Sequence, residues 1–294
     1  MQQNNKEEEV IITIPVYSTE LTDNEKHSLE QCINVLNKYP ITLICGQNFD
    51  IKNYKKVFKA LNKDFTCIKF DDKYFSNRDS YSKLCLSECF YEKFNNYKFM
   101  LIYQLDAFVF KDELEYWCKQ NYDYIGAPWN LKVLSEIVHT KIEYGGNGGF
   151  SLRKIDTMIR LMKHNLKNKN IYAYKSLKYI FNIYKKRTFI SNLLNIPKYV
   201  FIYLFQRFIF NKEIFNEDLI IAKYARKYIK DFYFAEPNEA AKFSIESFGE
   251  YFFNINGKVI PFGTHAYLKH LDFWTTIKKE ARNQNETRNI IQPF

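Results

Sequence analysis

Three short segments place side chains suited to metal binding or proton transfer beside the ends of expected strands and helices. Asp106 follows a strand expected at residues 99–105, whose apolar run at residues 99–102 is typical of a buried strand. Glu217 and Asp218 stand together at an expected helix start, and His265 lies in a loop containing Pro and Gly. Ligands of open α/β sheets bind outside the carboxyl ends of the strands, so these side chains could share one site.

Each of these residues also has an ordinary structural explanation. An Asp after a strand is often a turn or helix-capping residue. An acidic pair at a helix N-terminus often only complements the helix dipole, which contributes well under ~1 kcal/mol. A single His between Thr and Ala is more often a hydrogen-bonded structural residue than a metal ligand. The functional interpretation rests on their conjunction, because all of them lie at element ends, where sheet proteins build sites.

A glycine-rich stretch at residues 144–153 holds four of the nine glycines in the chain. Glycine at this density lets the backbone approach a ligand closely or adopt a positive φ. The stretch lacks the Lys-Ser/Thr ending of a P-loop and the spacing of a dinucleotide fingerprint. It predicts either a close approach to a ligand or a plain tight turn.

Alternating strands and helices are expected to position these segments. Strands are expected at residues 10–17, 41–45, 66–70 and 99–105. Helices are expected at residues 22–38, 54–61, 78–94 and 112–120, followed by an extended piece at 123–129. This alternation predicts βαβ units and a mostly parallel sheet flanked by helices.

Composition is that of a folded globular chain with free thiols. The 294 residues are 46% hydrophobic and 18% aromatic, which argues against disorder outside the ends. None of the six cysteines forms a Cys-x-x-Cys pair with a matching partner, so a zinc site has little support. Residues 1–9 are polar and acidic rather than a signal peptide, and no run of 18 apolar residues exists. A reducing cytoplasm is the expected location.

Residues 163–212 look like a basic insertion. They contain 11 Lys or Arg and no Asp or Glu, so the rest of the chain is close to neutral although the whole has a net charge of +10. Aromatic and aliphatic residues alternate with the cations at helical spacing, and Pro197 breaks the pattern. The pattern fits helices lying on an anionic membrane surface. Nucleic-acid binding is disfavoured because no recognised motif is present, and a solvated helical pair is the alternative.

The motifs together resemble nucleotide-sugar glycosyltransferases of the GT-A fold, and more narrowly the bacterial family known as domain of unknown function 5672. The matching pieces are Ser-Tyr-Ser-Lys-Leu at residues 80–84, Tyr-Gln-Leu-Asp-Ala-Phe at 103–108, Gly-Ala-Pro-Trp at 126–129, Gly-Asn-Gly-Gly-Phe-Ser-Leu-Arg at 146–153, Asn-Glu-Asp at 216–218 and Pro-Phe-Gly-Thr-His-Ala at 261–266. They extend over nearly the whole chain. The resemblance therefore implies one α/β, GT-A-like (Rossmann-like) domain over residues 1–294 with the basic helical insertion at 163–212.

The resemblance implies a divalent cation, Mn²⁺ or Mg²⁺, on the donor diphosphate. Asp106 resembles the second carboxylate of the Asp-x-Asp motif, and Gln104 stands where the first carboxylate would be. Gln can hydrogen-bond a ribose or a metal-bound water, but it removes a charge. His265 resembles the late metal ligand that some of these enzymes supply. An oxygen-rich site with one imidazole suits either cation.

The resemblance also assigns the acceptor and donor sides. Asp218, with Glu217 beside it, resembles the general base of inverting members, which takes the proton from the attacking hydroxyl. The other expected donor-binding residues lie at the end of the first strand, on the helix from residue 78 and in the glycine-rich stretch. They are Pro15, Val16, Tyr17, Arg78, Tyr81, Lys83, Gly148, Gly149 and Phe150.

The expected function is transfer of a sugar from a nucleoside-diphosphate donor to a glycan or lipid-linked acceptor. The resemblance to the family favours UDP as the nucleotide. The acceptor would belong to a bacterial surface polysaccharide such as lipopolysaccharide or capsule, at the inner face of the plasma membrane. A nucleotidyltransferase is a second possibility, although its Gly-rich Arg/Lys signature near the first strand is missing. A non-catalytic carbohydrate- or nucleic-acid-binding module is a third, which Gln104 favours because the first carboxylate is lost.

Overall fold

The computed structural model describes residues 8–131, 142–169, 171–173, 212–214 and 216–277, and its first half alternates strands with helices. The strands are β1 (Glu8–Pro15), β2 (Ile41–Gly46), β3 (Thr66–Phe70) and β4 (Tyr97–Tyr103). The helices between them are α1 (Asp23–Val35), α2 (Lys52–Ala60), α3 (Arg78–Cys85) and α4 (Glu88–Glu92), with a 3₁₀ turn at Asp72–Phe75. The β-branched and amphipathic segments of the sequence thus form the expected elements, with small shifts at their ends.

The second half contains shorter strands and several helices. The strands are β5 (Phe108–Val109), β6 (Tyr124–Pro128), β7 (Gly146–Lys154), β8 (Ile171–Ala173), β9 (Lys212–Ile214), β10 (Ser244–Ile245) and β11 (Gly263–Thr264). The helices are α5 (Leu114–Lys119), α6 (Ile155–Met162), α7 (Glu217–Tyr228), α8 (Pro237–Phe243) and α9 (Gly249–Ile255). Two 3₁₀ turns lie at Leu166–Asn168 and Tyr267–His270.

The main sheet has six strands in the order β3-β2-β1-β4-β7-β6. Strands β1 to β4 pair in parallel, and β7 is antiparallel to both of its neighbours. The prediction of an α/β fold with a mostly parallel central sheet flanked by helices is confirmed. The chain moves outward from β1 to β3 and then returns to the opposite side of β1 with β4. The strand order therefore reverses between β1 and β4, the kind of point at which open α/β sheets bind ligands.

The central strands are buried on both faces, as their continuous apolar runs predict. In β4, Leu101 and Tyr103 belong to one hydrophobic cluster, while Met100 and Ile102 belong to the other. All four are completely inaccessible to solvent. This alternation follows from the two-residue period of a strand. The polar candidates Gln104 and Asp106 therefore follow the end of β4.

The helix expected over residues 78–94 is divided into α3 and α4. The Ser87 hydroxyl donates a hydrogen bond to the Leu84 carbonyl oxygen at 2.6 Å, and the Ser87 amide bonds to the same carbonyl at 2.9 Å. Ser side chains that bond to nearby backbone groups compete with the helical hydrogen-bond pattern. The prediction of one long helix was wrong for this local reason.

The glycine-rich stretch is a strand rather than a tight turn. Strand β7 pairs with β4 from Tyr103↔Phe150 to Phe99↔Lys154, and with β6 on its other side. Of the glycines in this stretch, Gly145 has a positive φ (122°) and precedes the strand. The tight-turn alternative is therefore wrong, because Gly146, Gly148 and Gly149 belong to β7.

Residues 174–211 of the expected basic insertion lie outside the described residues, as does its expected break at Pro197. The two ends of the stretch are described. Strands β8 and β9 pair antiparallel, with Ala173 opposite Lys212, so residues 173 and 212 lie side by side. Within the described ranges, none of the helices has the length and apolar character needed to cross a bilayer.

Candidate functional site

The first candidate cluster lies at the carboxyl end of β4, where the strand order reverses. The amide of Gln104 donates to the Gly149 carbonyl at 2.9 Å, and the amide of Ala107 donates to the Gln104 carbonyl at 2.9 Å. These bonds close a turn around Asp106. The Asp106 side chain is 47% exposed and therefore accessible to a ligand.

A small three-stranded sheet brings the C-terminal loop to this turn. Strand β11 pairs antiparallel with β5, with Thr264 opposite Phe108. Beyond this pair, the amide of Tyr267 donates to the backbone carbonyl of Asp106 at 2.9 Å. The register thus places His265 beside Asp106, although the two residues are distant in sequence.

The His265 imidazole lies at the centre of the cluster. Its Nε2 is 3.0 Å from Asp106 Oδ1 and 3.1 Å from Gln104 Oε1, and its Nδ1 is 3.2 Å from Glu246 Oε1. Burial acts to lower the pKa of His265, but the hydrogen bonds to Asp106 and Glu246 outweigh it and raise the pKa to about 9. The structure brings together the two residues that the sequence assigned to the cation, Asp106 and His265, and places Gln104, an expected donor-binding residue, beside them.

The charge state of Asp106 follows from the same neighbours. Burial acts to raise the pKa of Asp106, but the hydrogen bond and charge of His265 and the charge of Lys269 lower it below its ordinary value. Asp106 is therefore a carboxylate at neutral pH. Lys269 is exposed on the 3₁₀ turn that follows His265.

Gly149 packs directly against this cluster. A Cβ at residue 149 would overlap the His265 ring and lie 2.6 Å from Gln104 Oε1. Any side chain at this position would therefore displace the imidazole or the amide. The residue supports the site through its missing side chain, as close backbone approach requires.

A second cluster lies on the other side of β7, around a buried ion pair. The Arg153 side chain is fully buried, and its Nη2 lies 3.1 Å from Glu217 Oε1. Its Nη1 donates to the Tyr91 hydroxyl at 2.9 Å. Ser82 Oγ donates to Glu217 Oε2 at 3.0 Å. Both oxygens of Glu217, one of the two expected catalytic carboxylates, are therefore engaged by other side chains.

Asp218, the other expected catalytic carboxylate, is held by backbone amides. Its Oδ2 accepts from Gly148 N at 3.1 Å, and its Oδ1 accepts from Leu219 N at 2.7 Å. Burial, followed by the charge of Glu217, raises the pKa of Asp218 to about 7. A carboxylate that titrates near neutrality is suited to general-base catalysis.

Gly148 packs against the second cluster as Gly149 packs against the first. A Cβ at residue 148 would collide with Glu217 Oε1 and lie 2.9 Å from Arg153 Nη2. Consecutive strand residues face opposite sides of a sheet. The two clusters therefore approach β7 from opposite faces at adjacent residues.

Tyr17, which follows β1, lies between the two clusters. Its side chain is 47% exposed, and its ring packs edge-on against Tyr81 with centroids 5.6 Å apart. Burial raises the pKa of Tyr17, and nearby Cys85, Glu217 and Asp106 act in the same direction. Tyr17 and Asp106 are each 47% exposed and lie near each other, and we refer to the open surface around them as the cleft.

The remaining expected donor-binding residues occupy three kinds of environment. Pro15 and Val16 are buried at the end of β1, and Arg78 and Lys83 are exposed on α3. Tyr81 is 2% exposed, and within the described residues its hydroxyl has no hydrogen-bond partner. Tyr81 is the member of this set whose ring contacts Tyr17.

Phe150 differs from the expected donor-binding role. Its side chain is completely buried, and its ring packs within 6 Å of the ring centroids of Tyr103, Phe243 and Phe262. The structure therefore places this side chain in the core rather than on the cleft. Any contact of Phe150 with a donor sugar would be limited to its backbone.

Sequence reasoning gave no role to several residues in or near the two clusters, among them Glu246, Lys269 and Arg153. Glu246 has no recognisable motif, and only the pairing of β10 with β11 brings it to His265. Lys269 lies four residues after His265 and shows no distinct pattern. Arg153 ends one of the family motifs, but nothing in its spacing pointed to an ion pair with Glu217. These residues reach the clusters through contacts between elements that are distant in sequence.

A protein-family model described as "Protein of unknown function (DUF5672)" matches residues 64–265. The match covers more than half of the chain and includes both clusters. No curated protein matches the chain.

Three solved structures show a weak overall likeness. Mouse xyloside xylosyltransferase 1, apo form, is 10% identical with a TM-score of 0.47, over 88% of this chain and 97% of that chain. The Aspergillus fumigatus core-mannan synthase A, Mn/GDP form, is 10% identical with a TM-score of 0.41, over 54% of this chain and 63% of that chain. The apo-form glycosyltransferase GlyE of Streptococcus pneumoniae is 11% identical with a TM-score of 0.44, over 88% of this chain and 54% of that chain. The chain thus spans less than two thirds of the length of two of these proteins.

Substitution Glu217→Gln should destabilise the fold strongly, because it leaves the buried Arg153 guanidinium without its counter-charge. We expect a loss of about 3–5 kcal/mol. Urea unfolding of the purified protein measures this loss. The double change Arg153→Met with Glu217→Gln should recover part of it.

The matched control is Glu239→Gln, which breaks an exposed pair with Lys242. An exposed pair contributes about 0–1 kcal/mol. If Glu217→Gln were no more destabilising than this control, the buried Arg153–Glu217 ion pair would not be a main contributor to the stability of the fold.

Proposed function

The chain belongs to the DUF5672 family, and we propose that it is a glycosyltransferase that moves a sugar from a nucleoside-diphosphate donor to an acceptor hydroxyl. The main support is the meeting of Asp106, Gln104 and His265 at the point where the strand order reverses. A carboxylate suited to proton transfer, Asp218 at the start of α7, accepts a hydrogen bond from the β7 backbone at Gly148, next to Gly149. These are the two requirements of the reaction: a place for a diphosphate and a base for the acceptor.

The donor atoms of the first cluster fit a divalent cation. Asp106 supplies a carboxylate oxygen, Gln104 an amide oxygen and His265 an imidazole nitrogen. The two oxygens lie 3.0 and 3.1 Å from that nitrogen, Nε2. This mixture of hard oxygens and one imidazole suits Mn²⁺ or Mg²⁺. Among the described residues, no three His, Cys, Asp or Glu side chains form a metal-holding group, so oxygens of the donor would complete the coordination.

A cation held there would act as a Lewis acid on the diphosphate that leaves. The protein would add positive charge through Lys269, which already lowers the pKa of Asp106. Tyr17, which lies between the clusters and lines the cleft, would contact the nucleoside together with the end of β1. UDP is the nucleotide we favour for the first assays.

Asp218 would be the general base. The acceptor hydroxyl would give its proton to the Asp218 carboxylate while its oxygen forms the bond to the anomeric carbon. The bond from the anomeric carbon to the phosphate oxygen would break, and its electron pair would leave with the nucleoside diphosphate. Attack from the face opposite the leaving group inverts the anomeric centre.

Glu217 would hold Asp218 in place rather than accept the proton. Its two oxygens are engaged by Arg153 and Ser82, and its charge is the second cause of the raised pKa of Asp218. The like charge keeps the neighbouring carboxylate ready to bind a proton near neutral pH. In this proposal Glu217 fixes the start of α7, and Asp218 accepts the proton.

The acceptor we propose is a glycan or lipid-linked precursor of a bacterial surface polysaccharide at the inner face of the plasma membrane. Support comes from residues 163–212, with 11 cations among aromatic residues and no acidic residue. Each basic residue near an anionic bilayer contributes about 1 kcal/mol to binding. The insertion would hold the enzyme peripherally near lipid-linked acceptors.

Substitution Asp106→Asn should reduce release of UDP from UDP-sugars at least about 100-fold, because it removes the one carboxylate of the proposed cation site. A panel of UDP-sugars assayed with Mn²⁺ and an oligosaccharide acceptor measures this loss. Asp64→Asn, which changes an exposed Asp, is the matched control. Release of pyrophosphate instead of UDP would favour a nucleotidyltransferase, and donor binding without turnover by the unaltered protein would favour a binding module.

The pH dependence of kcat/KM should report the Asp218 carboxyl, whose pKa is about 7. The base works only when deprotonated, so activity should be constant above this pH and fall about tenfold per pH unit below it. Asp218→Asn should abolish this limb together with most of the activity, while Asp231→Asn, an exposed change, should retain both. A rate that stays level from about pH 5.5 to 8.5 would exclude Asp218 as the base.

Replacement of residues 174–211 by Asn-Gly should abolish binding to anionic vesicles. Ala173 and Lys212 are a strand pair, so a two-residue Asn-Gly turn can close the ribbon. The change removes seven of the eleven cations. Flotation with phosphatidylcholine vesicles, with and without phosphatidylglycerol, measures the effect. Equal flotation of both proteins on the anionic vesicles would contradict membrane attachment through this stretch.

A further inference from the structure

We propose that Glu246 is a positioning residue that orients the His265 imidazole so that Nε2 faces Asp106 and Gln104. The inference rests on the proposed function, because it concerns the same cation site. It adds a residue to which neither the family motifs nor the sequence pattern gives a role.

Strand register places Glu246 beside His265. Strands β10 and β11 are parallel, with Ile245 opposite Thr264, so the next residue of each strand emerges at the same end. The Thr264 hydroxyl donates to the Ile245 carbonyl and reinforces this register. Thr264 is completely buried. The pairing of Glu246 with His265 is thus fixed by the backbone rather than by a flexible surface contact.

The two ring nitrogens of His265 have different partners. Nδ1 lies 3.2 Å from Glu246 Oε1, while Nε2 lies 3.0 Å from Asp106 Oδ1. The side chains of His265 and Glu246 are only 10% and 16% exposed. Water therefore competes weakly for Nδ1, and the Glu246 carboxylate stabilises a hydrogen on this nitrogen.

This arrangement has a direct chemical consequence for cation binding. When Nδ1–H donates to Glu246, the lone pair of a neutral imidazole is on Nε2, the atom that faces Asp106 and Gln104. A carboxylate partner also increases the basicity of the nitrogen that binds metal. Without Glu246, the ring would lose both its preferred tautomer and its fixed orientation.

Within the described residues, the Glu246 carboxylate has an ion-pair contact with His265 and none with a Lys or Arg side chain. Its neighbours Ser247 and Phe248 are exposed, whereas the Glu246 side chain is only 16% exposed. A largely buried carboxylate is costly unless it is paired, and His265 provides that pairing.

The test measures Mn²⁺ binding directly, by electron paramagnetic resonance of free Mn²⁺ during titration of the full chain. Glu246→Ala should weaken Mn²⁺ binding about 10- to 100-fold. Glu246→Gln, which can still accept from Nδ1–H but has no charge, should give an intermediate loss. Glu239→Ala, which removes a surface carboxylate paired with Lys242, should bind Mn²⁺ like the unaltered protein.

A double-mutant cycle separates positioning from other roles. In a His265→Ala background, Glu246→Ala should cause no further loss of Mn²⁺ affinity, because Glu246 acts through the imidazole. An equal loss in both backgrounds would overturn the proposal, as would unchanged affinity in Glu246→Ala. If the Ala variant fails to fold, Glu246→Gln decides: affinity equal to that of the unaltered protein overturns the proposal.

The outcome for the unaltered protein distinguishes this inference from the proposed function. If it binds Mn²⁺ and the Glu246 variants bind equally well, only the positioning role fails. If it binds no Mn²⁺, the positioning role fails together with the cation site. UDP release measured in parallel then reports whether sugar transfer proceeds without that site.

Discussion

The close packing of two polar clusters against consecutive glycines is the constraint on which the site depends. Gly149 leaves room for the His265 ring and the Gln104 amide, and Gly148 leaves room for the Arg153–Glu217 pair. Both glycines belong to β7, where the Gly149 carbonyl accepts from the Gln104 amide and the flanking residues pair with β4 and β6. The sheet therefore provides a rigid surface against which both clusters pack.

The two clusters are built by opposite electrostatic means. Around Arg153 the charges are matched and buried, which anchors the N-terminus of α7 against β7. Around His265 one imidazole meets two carboxylates and an amide oxygen, a surplus of negative charge and oxygen at the edge of a cleft. The proposed cation would balance this surplus, whereas the Arg153 cluster already contains its own counter-charge.

Between them, Asp218 shows how the anchor influences the chemistry. Two backbone amides stabilise its carboxylate, yet burial and the adjacent Glu217 charge outweigh them and raise its pKa to about 7. Arg153 compensates Glu217 but leaves Asp218 without a cation of its own. The same ion pair that fixes the helix start thus also tunes the proposed base.

Much of this could be predicted from the sequence, because apolar runs and strand ends are local signals. The buried strand before Asp106 and the parallel alternation in the first half are of this kind. The resemblance of short motifs to a family added His265 and Asp218. The strand nature of the glycine-rich stretch was not predictable from propensity, because neighbouring strands impose it. Glu246 and the Arg153 pair depend on register and packing between distant segments, which one sequence does not reveal.

The central claim is that Asp106, Gln104 and His265 bind one cation on the diphosphate of the donor. Anomalous diffraction at the manganese edge, from crystals of the full chain grown with Mn²⁺ and UDP, tests it most directly. The account predicts one strong peak within bonding distance of Asp106 Oδ1 and His265 Nε2, in contact with the UDP phosphates. A peak at another place, or UDP bound away from the end of β4, would contradict it.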